Sequence, residues 1–147
     1  MKSKLLLTLF ITYLFVGCSN RNPVEEAKAV VTSHEQFSKA GDLEGIMSNM
    51  ADDVVFLAPG MPLMKGKDAC RNFYTSMIKM GKTEFTHNYE GAEIIGDVVI
   101  LHGLATGTTT MPDAGVIHFA NNLILTVKYQ SDGKMKLWRG AFAPSSQ

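Results

Sequence analysis

At Gly81 the hydrophobic pattern of the chain changes period. Upstream, apolar residues recur at helical spacing. Downstream, the turns "GD" (Gly96-Asp97), "MPDAG" and "SDGK" divide the chain into long extended runs. One element cannot hold both a period of 3.6 and a period of 2, so the helices come first and a sheet follows. The expected fold class is therefore α+β.

The upstream half carries clear helix signals. In "NPVE", Asn22 can cap, Pro23 suits the first helical position and Glu25 stands three residues after the cap. Val24, Ala27, Val30, Val31, His34 and Phe37 then form one apolar face. Gly41 can close this helix in a left-handed conformation, and Asp42 can start a second, reaching about Met50. A short strand, "VVFLA" from Val54 to Ala58, ends at Pro59-Gly60, and a third helix is predicted over 67–80. Strands are predicted over 84–95, 98–110, 116–130 and 135–142. In the third of these, Asn121, Leu123, Leu125 and Val127 share a face. No internal repeat or long linker divides the chain, and 147 residues suit one domain with one core.

With 46% hydrophobic and 19% charged residues, the composition is that of a folded protein, so disorder is not the expectation. The formal net charge is zero, and the basic surface that nucleic acid requires is missing, so no nucleic-acid partner is expected. Nine methionines fit gap-filling in a core, or an adaptable pocket.

The first residues, "MKSKLLLTLFITYLFVGC", join two lysines to an apolar run from Leu5 to Val16 and then to Gly17-Cys18. That run is too short to span a bilayer, which takes roughly 20 residues, and it matches a secretory signal peptide. The ending "LFVGCSN" resembles a bacterial lipobox, with Phe15 in place of the usual leucine. The resemblance implies that Cys18 is lipidated and becomes the new N-terminus, anchoring the protein to a membrane of the bacterial cell envelope, facing the periplasm or exterior. Several acyl chains on one cysteine give firm attachment. The four residues "SNRN" reach roughly 14 Å at about 3.5 Å each, so the domain is expected close to the membrane. The expected organisation is a signal peptide at 1–17, a tether at 18–22, one domain at 23–143 and a tail at 144–147. Cys70 is then the only cysteine of the mature chain, has no disulfide partner within it, and reads as a buried structural thiol.

The order of elements, with "AGDLEGIMSNMADDVVFLAPGMPLMKGKDACRNFY" at its centre and "DGKMKLWRGAF" near the end, resembles the nuclear transport factor 2-like superfamily, and within it the SnoaL-like branch. The resemblance covers nearly the whole mature chain. It implies a cone-shaped fold, three N-terminal helices packed on a curved antiparallel sheet that wraps a pocket, and homodimers paired through the sheet. Function does not follow from this fold, which hosts enzymes, binders and assembly domains. Ketosteroid isomerase, an enzyme on the same framework, shares "AGDL" and "ADD". Its chemistry needs a carboxylate base and two neutral donors to an enolate oxygen. The base position falls here on Ala58, the tyrosine donor on His34 and the acid donor near Leu125, so that mechanism does not transfer.

Eight residues are candidates for a ligand pocket: His34, Phe37, Phe56, Met61, Tyr74, Tyr89, His102 and Asn121. His34 interrupts the apolar face of the first helix, as a ligand-facing imidazole or as a satisfied core histidine. His102 and His118 lie on strands, where one bulge reverses the face they present. Asn121 shares a face with buried-type leucines, and a buried amide needs a partner. The aromatics and Met61 are expected around an apolar cavity, with core packing as their other role. Asp52 and Asp53 are expected to end the second helix and start the strand. The four histidines have no metal-ligand spacing, so neither a metal nor a cofactor is expected. Three readings result: a membrane-anchored binder of a small apolar or amphipathic ligand or a partner protein; an isomerase, dehydratase or cyclase using His34 as acid/base; and a structural homodimer.

Overall fold

The computed structural model describes residues 22–145. Cys18 and the segment before it lie outside the described residues. The elements are α1 (Pro23–Ala40), α2 (Leu43–Ser48), β1 (Met50–Leu57), β2 (Met64–Lys65), α3 (Gly66–Met80), β3 (Lys82–Ile95), β4 (Val98–Met111), β5 (Gly115–Tyr129) and β6 (Met135–Pro144).

Local chemistry accounts for the helix ends. Asn22 Oδ1 accepts the backbone N–H of Val24 at 3.1 Å, and Pro23 opens α1 where a missing N–H costs nothing. Gly41 closes it at φ 67°, a left-handed conformation that favours glycine. Ala27, Val31, His34 and Ser38 form the buried stripe of α1, at the spacing of one helix face. Asp42 caps α2 by accepting the Gly45 N–H at 2.9 Å. Gly45 also lets α2 approach α1, because a β-carbon there would lie 2.4 Å from the ring of Phe37.

The six strands form one sheet in the order β2-β1-β6-β5-β4-β3. It is not wholly antiparallel as expected: β1 runs parallel to β6, while every other neighbouring pair is antiparallel. The parallel pair arises because β1 precedes the three central strands in sequence and joins the sheet beside the last one.

Several expected boundaries also move. Helix α2 stops at Ser48, and β1 begins at Met50, four residues before Val54. Asp52 and Asp53 therefore lie inside β1. Both point outward across an irregularity between Met50 and Val55, where the pairing with β6 shifts register. β2 is too short to leave a period in the sequence, and β6 runs to Pro144, two residues beyond the expected end at Phe142.

Val99, Leu101, Leu123, Leu125, Val127 and Leu137 project from the inner face of the sheet and are almost fully buried. Helix α1 lies across β3, and α3 packs on β1. Cys70 of α3 is buried in this core as a free thiol, and burial pushes its pKa up. Where the inner face passes under α1 and α3, packing is incomplete and a cavity remains.

Candidate functional site

The cavity has a volume of about 190 Å³. Its wall is mostly apolar, with Phe56, Phe73, Phe85, Phe119 and Phe142 contributing rings. Polar side chains enter from three places. His34 comes from α1, Tyr74 from α3, and Thr83, His87, Thr109 and Asn121 from the inner face of β3, β4 and β5. Thr83 and Thr109 face each other across their strand pair with hydroxyls 3.2 Å apart.

Four of the eight residues expected at a pocket stand in this wall: His34, Phe56, Tyr74 and Asn121. The other four do not. Phe37 projects from α1 against Gly45 and locks the first two helices together. Met61 is 43% exposed in the loop between β1 and β2. Tyr89 lies behind His87, its ring stacked at 6.2 Å and nearly parallel. His102 faces away from the cavity, since it follows the inward Leu101, and its ring lies over Gly91 at a bulge in the β3–β4 pairing. His118 lies in a polar groove beside Phe119 and is also turned away.

Ala58, which stands where the isomerase comparison puts a base, is part of the wall and offers only a methyl group. The imidazole that sequence reasoning passed over is His87. Its side chain is 2% exposed, and its Nδ1 lies 2.5 Å from Glu35 Oε1. The same oxygen accepts the backbone N–H of His87 at 3.0 Å. A carboxylate accepts only, so His87 Nδ1 carries a proton and donates it to Glu35. His87 Nε2 is buried and has no hydrogen-bond partner among the described residues.

His34 is held differently. Its Nε2 lies 2.9 Å from the hydroxyl of Tyr74, and the two rings meet edge to face at 5.3 Å. Burial depresses the His34 pKa to about 3, with the neighbouring His87 adding to the effect, so the imidazole is neutral at physiological pH. Burial, with a smaller contribution from Cys70, raises the Tyr74 pKa, so its hydroxyl keeps its proton. When that hydroxyl donates to Nε2, the His34 proton sits on Nδ1, which is buried and has no partner among the described residues. His34 and His87 thus both stand in the wall of the cavity, and each has a buried nitrogen without a partner among the described residues. Among the described residues, no group of three or more His, Cys, Asp or Glu is arranged to hold a metal ion.

A chain with this element order and a hollow between helices and sheet has the nuclear transport factor 2-like fold. A ketosteroid isomerase-like protein of Erwinia carotovora atroseptica superposes with a TM-score of 0.76 at 18% identity, over 86% of this chain and 99% of that one. A candidate dehydratase of the NTF2-like family from Streptomyces avermitilis gives 0.75 at 16%, over 85% and 97%. A conserved protein of Planctomyces limnophilus gives 0.75 at 22%, over 85% and 100%. The SnoaL-like domain pattern matches residues 30–138, and the chain belongs to that family. A search of curated proteins returns no match.

Proposed function

We propose that this protein binds one small, mostly apolar molecule in the cavity, about one ring in size and carrying one oxygen. The observation that carries this reading is the mostly apolar cavity itself, with His34 and His87 in its wall, each having a buried nitrogen without a partner among the described residues. Each buried polar atom left unpaired costs about 1–3 kcal/mol, and a bound hydroxyl or carbonyl offsets part of that. Volume sets the size. An apolar cavity of about 150 Å³ holds benzene, whereas drug-sized ligands occupy roughly 300 Å³ or more. At 190 Å³ the cavity fits the smaller class. It also disfavours the reading in which side chains fill the cone and the domain only dimerises.

The same reading places the domain on the bacterial cell envelope, tethered by acyl chains on Cys18. Among the described residues no helix is long and apolar enough to cross a membrane. Two copies pair through the outer face of the sheet, where Ile124 is 54% exposed.

Phenol titrated against the purified full chain, followed by isothermal calorimetry and by the NMR signals of the imidazoles, tests the binding. Saturable shifts at His34 and His87 are expected. Failure of phenol to bind, together with no co-purifying small molecule in native mass spectrometry of protein from its own membrane, would remove the reading. Cys18→Ser is expected to release the protein from the membrane fraction, and continued tight association would contradict the tether. Light scattering of the detergent-solubilised chain decides the dimer.

A further inference from the structure

Resting on the tether reading, we propose that the turn between β3 and β4 is a second membrane contact: Ile94 and Ile95 dip into the bilayer that holds Cys18 and stand the domain on its end there. The two isoleucines are 53% and 62% exposed. Turns are usually polar, since they run over the surface and their backbone meets water. Ile94 lies opposite Val99 and Ile95 opposite Val98, so an apolar side chain projects from each face of the same hairpin tip. A second copy stacked on the sheet would cover one of these faces. A lipid surface surrounds the tip and covers both.

The course of α1 puts this turn where the tether joins the domain. Lys39 pairs with Glu84, Glu35 accepts from His87, and Glu26 accepts from the hydroxyl of Tyr129. Helix α1 therefore runs antiparallel to β3. Its first turn lies at the end of the sheet that bears Asp97, whose carbonyl accepts the Tyr129 N–H at 3.0 Å. The tether residues lead directly into Pro23, and "SNRN" reaches roughly 14 Å. The opposite end of the sheet also has exposed apolar residues, Val116 and Ile117 among them. That end lies about 27 Å away along the 18 residues of α1, about twice the reach of the tether. Charge at the tip is balanced: Asp97 pairs with Lys128 at 3.7 Å, and exposed Glu93 is matched by exposed Lys134 in the neighbouring turn. Two isoleucines are too few to hold a free protein on a bilayer. A short tether makes their insertion intramolecular, at an effective concentration of about millimolar.

The test uses the lipidated full chain reconstituted in vesicles of phosphatidylethanolamine and phosphatidylglycerol. A polarity-sensitive fluorophore is attached at Ile95→Cys or, for comparison, at Asp113→Cys in the exposed turn between β4 and β5 at the opposite end. Cys70 is buried and does not compete for the label. At position 95, emission is expected to shift to the blue and to be quenched by nitroxide-bearing lipid. At position 113 it is expected to stay as in water. Adding Ile94→Asp to the chain labelled at 95 is expected to lower the docked-to-free ratio about tenfold or more, with the protein still in the membrane fraction. A water-like, unquenched label at 95 on protein that sediments with the vesicles would overturn the docking and leave the tether standing. A blue-shifted label that lipid does not quench would assign the tip to a protein neighbour, and quenching at both positions would lay the domain on its side; either result overturns the proposal. Wild-type protein found outside the membrane fraction of its own cells removes the tether, and the docking with it.

Discussion

Two polar clusters of similar composition sit on opposite faces of the sheet. On the outer face, Trp138 Nε1 donates to Asp53 Oδ2 at 2.9 Å, Arg139 donates to the Asp53 carbonyl at 2.7 Å, and its guanidinium lies 4.0 Å from the indole centroid. Lys128 approaches the same ring at 4.7 Å. On the inner face, Glu35, His87, His34 and Tyr74 also combine a carboxylate, imidazoles and an aromatic ring. The outer cluster has named protein partners for its charges and is open to water as well. The inner one leaves two nitrogens unpaired where water is largely excluded. Groups that can be hydrated need no ligand to explain them. Buried groups left short of partners do, because such atoms are rare in folded proteins. Position on the sheet, rather than residue type, separates a surface contact from a candidate site.

The sharpest way to break this contrast is to remove the inner carboxylate. Glu35→Ala strips both bonds from His87 and leaves a buried imidazole with no partner among the contacts described here. A loss of about 3 kcal/mol is expected, from the values for charged hydrogen bonds and broken buried pairs. Urea denaturation checks it, with a lower midpoint and an unchanged slope. A loss under about 1 kcal/mol would mean that the inner pair behaves like a surface pair.

Protonation offers a second approach. His34 is depressed to about 3 in the folded chain against an ordinary 6.5, so between these values the unfolded state binds more protons. Stability therefore falls as pH drops from 6.5 toward 3, with a slope of up to about 1.4 kcal/mol per pH unit. Asp52, Asp53, Glu44 and Glu84 also have lowered pKa values and give losses of the same sign, but only within the carboxylate range. The informative window is thus from pH 6.5 to about 5. There the wild type is expected to lose stability and His34→Gln to stay level. Equal slopes for the two proteins would show that His34 titrates as freely as a surface histidine.

How legible this contrast was in the sequence depended on how local each signal is. Asn22, Gly41 and Asp42 act on backbone a few residues away, and the helix ends they mark could be read directly. His34 stood out because it interrupts an apolar helical face. The start of β1 could not be read, since "NMADD" suits the end of a helix, and only pairing with β6, more than 80 residues later, makes it a strand. The Glu35–His87 pair is separated by 52 positions. One trace of it was present: Thr83, Phe85, His87 and Tyr89 alternate along β3, with Phe85 on the same face as His87. Tyr89 keeps the alternation of β3 but lies one step beyond His87, behind its ring, and His102 alternates with the inward Leu101, so neither reaches the wall.

Tyr74→Phe sharpens the inner half of the comparison. It removes the hydroxyl held by His34 Nε2 and keeps the ring that packs against Phe73 at 5.1 Å. The expected cost is about 1–2 kcal/mol, that of one buried nitrogen left unpaired, measured as a shift in the urea midpoint. Loss of the donor to Nε2 also frees the His34 tautomer, so ¹⁵N signals of His34 are expected to change while those of His87 stay in place.

The smallest effect belongs to the outer cluster. Asp53→Asn removes the carboxylate charge but keeps an oxygen for the indole N–H, and its backbone carbonyl still accepts from Arg139. Trp138 lowers the Asp53 pKa through its hydrogen bond, and Arg139 adds a coulombic contribution. The Asp53 side chain is 69% exposed, so water and salt screen most of that interaction. A change of no more than about 0.5 kcal/mol is expected, shrinking further at high salt. Adding salt to Glu35→Ala should recover nothing, because its loss is one of desolvated hydrogen bonds rather than screened charge. A large, salt-insensitive loss in Asp53→Asn would place the outer cluster in the same physical class as the inner one.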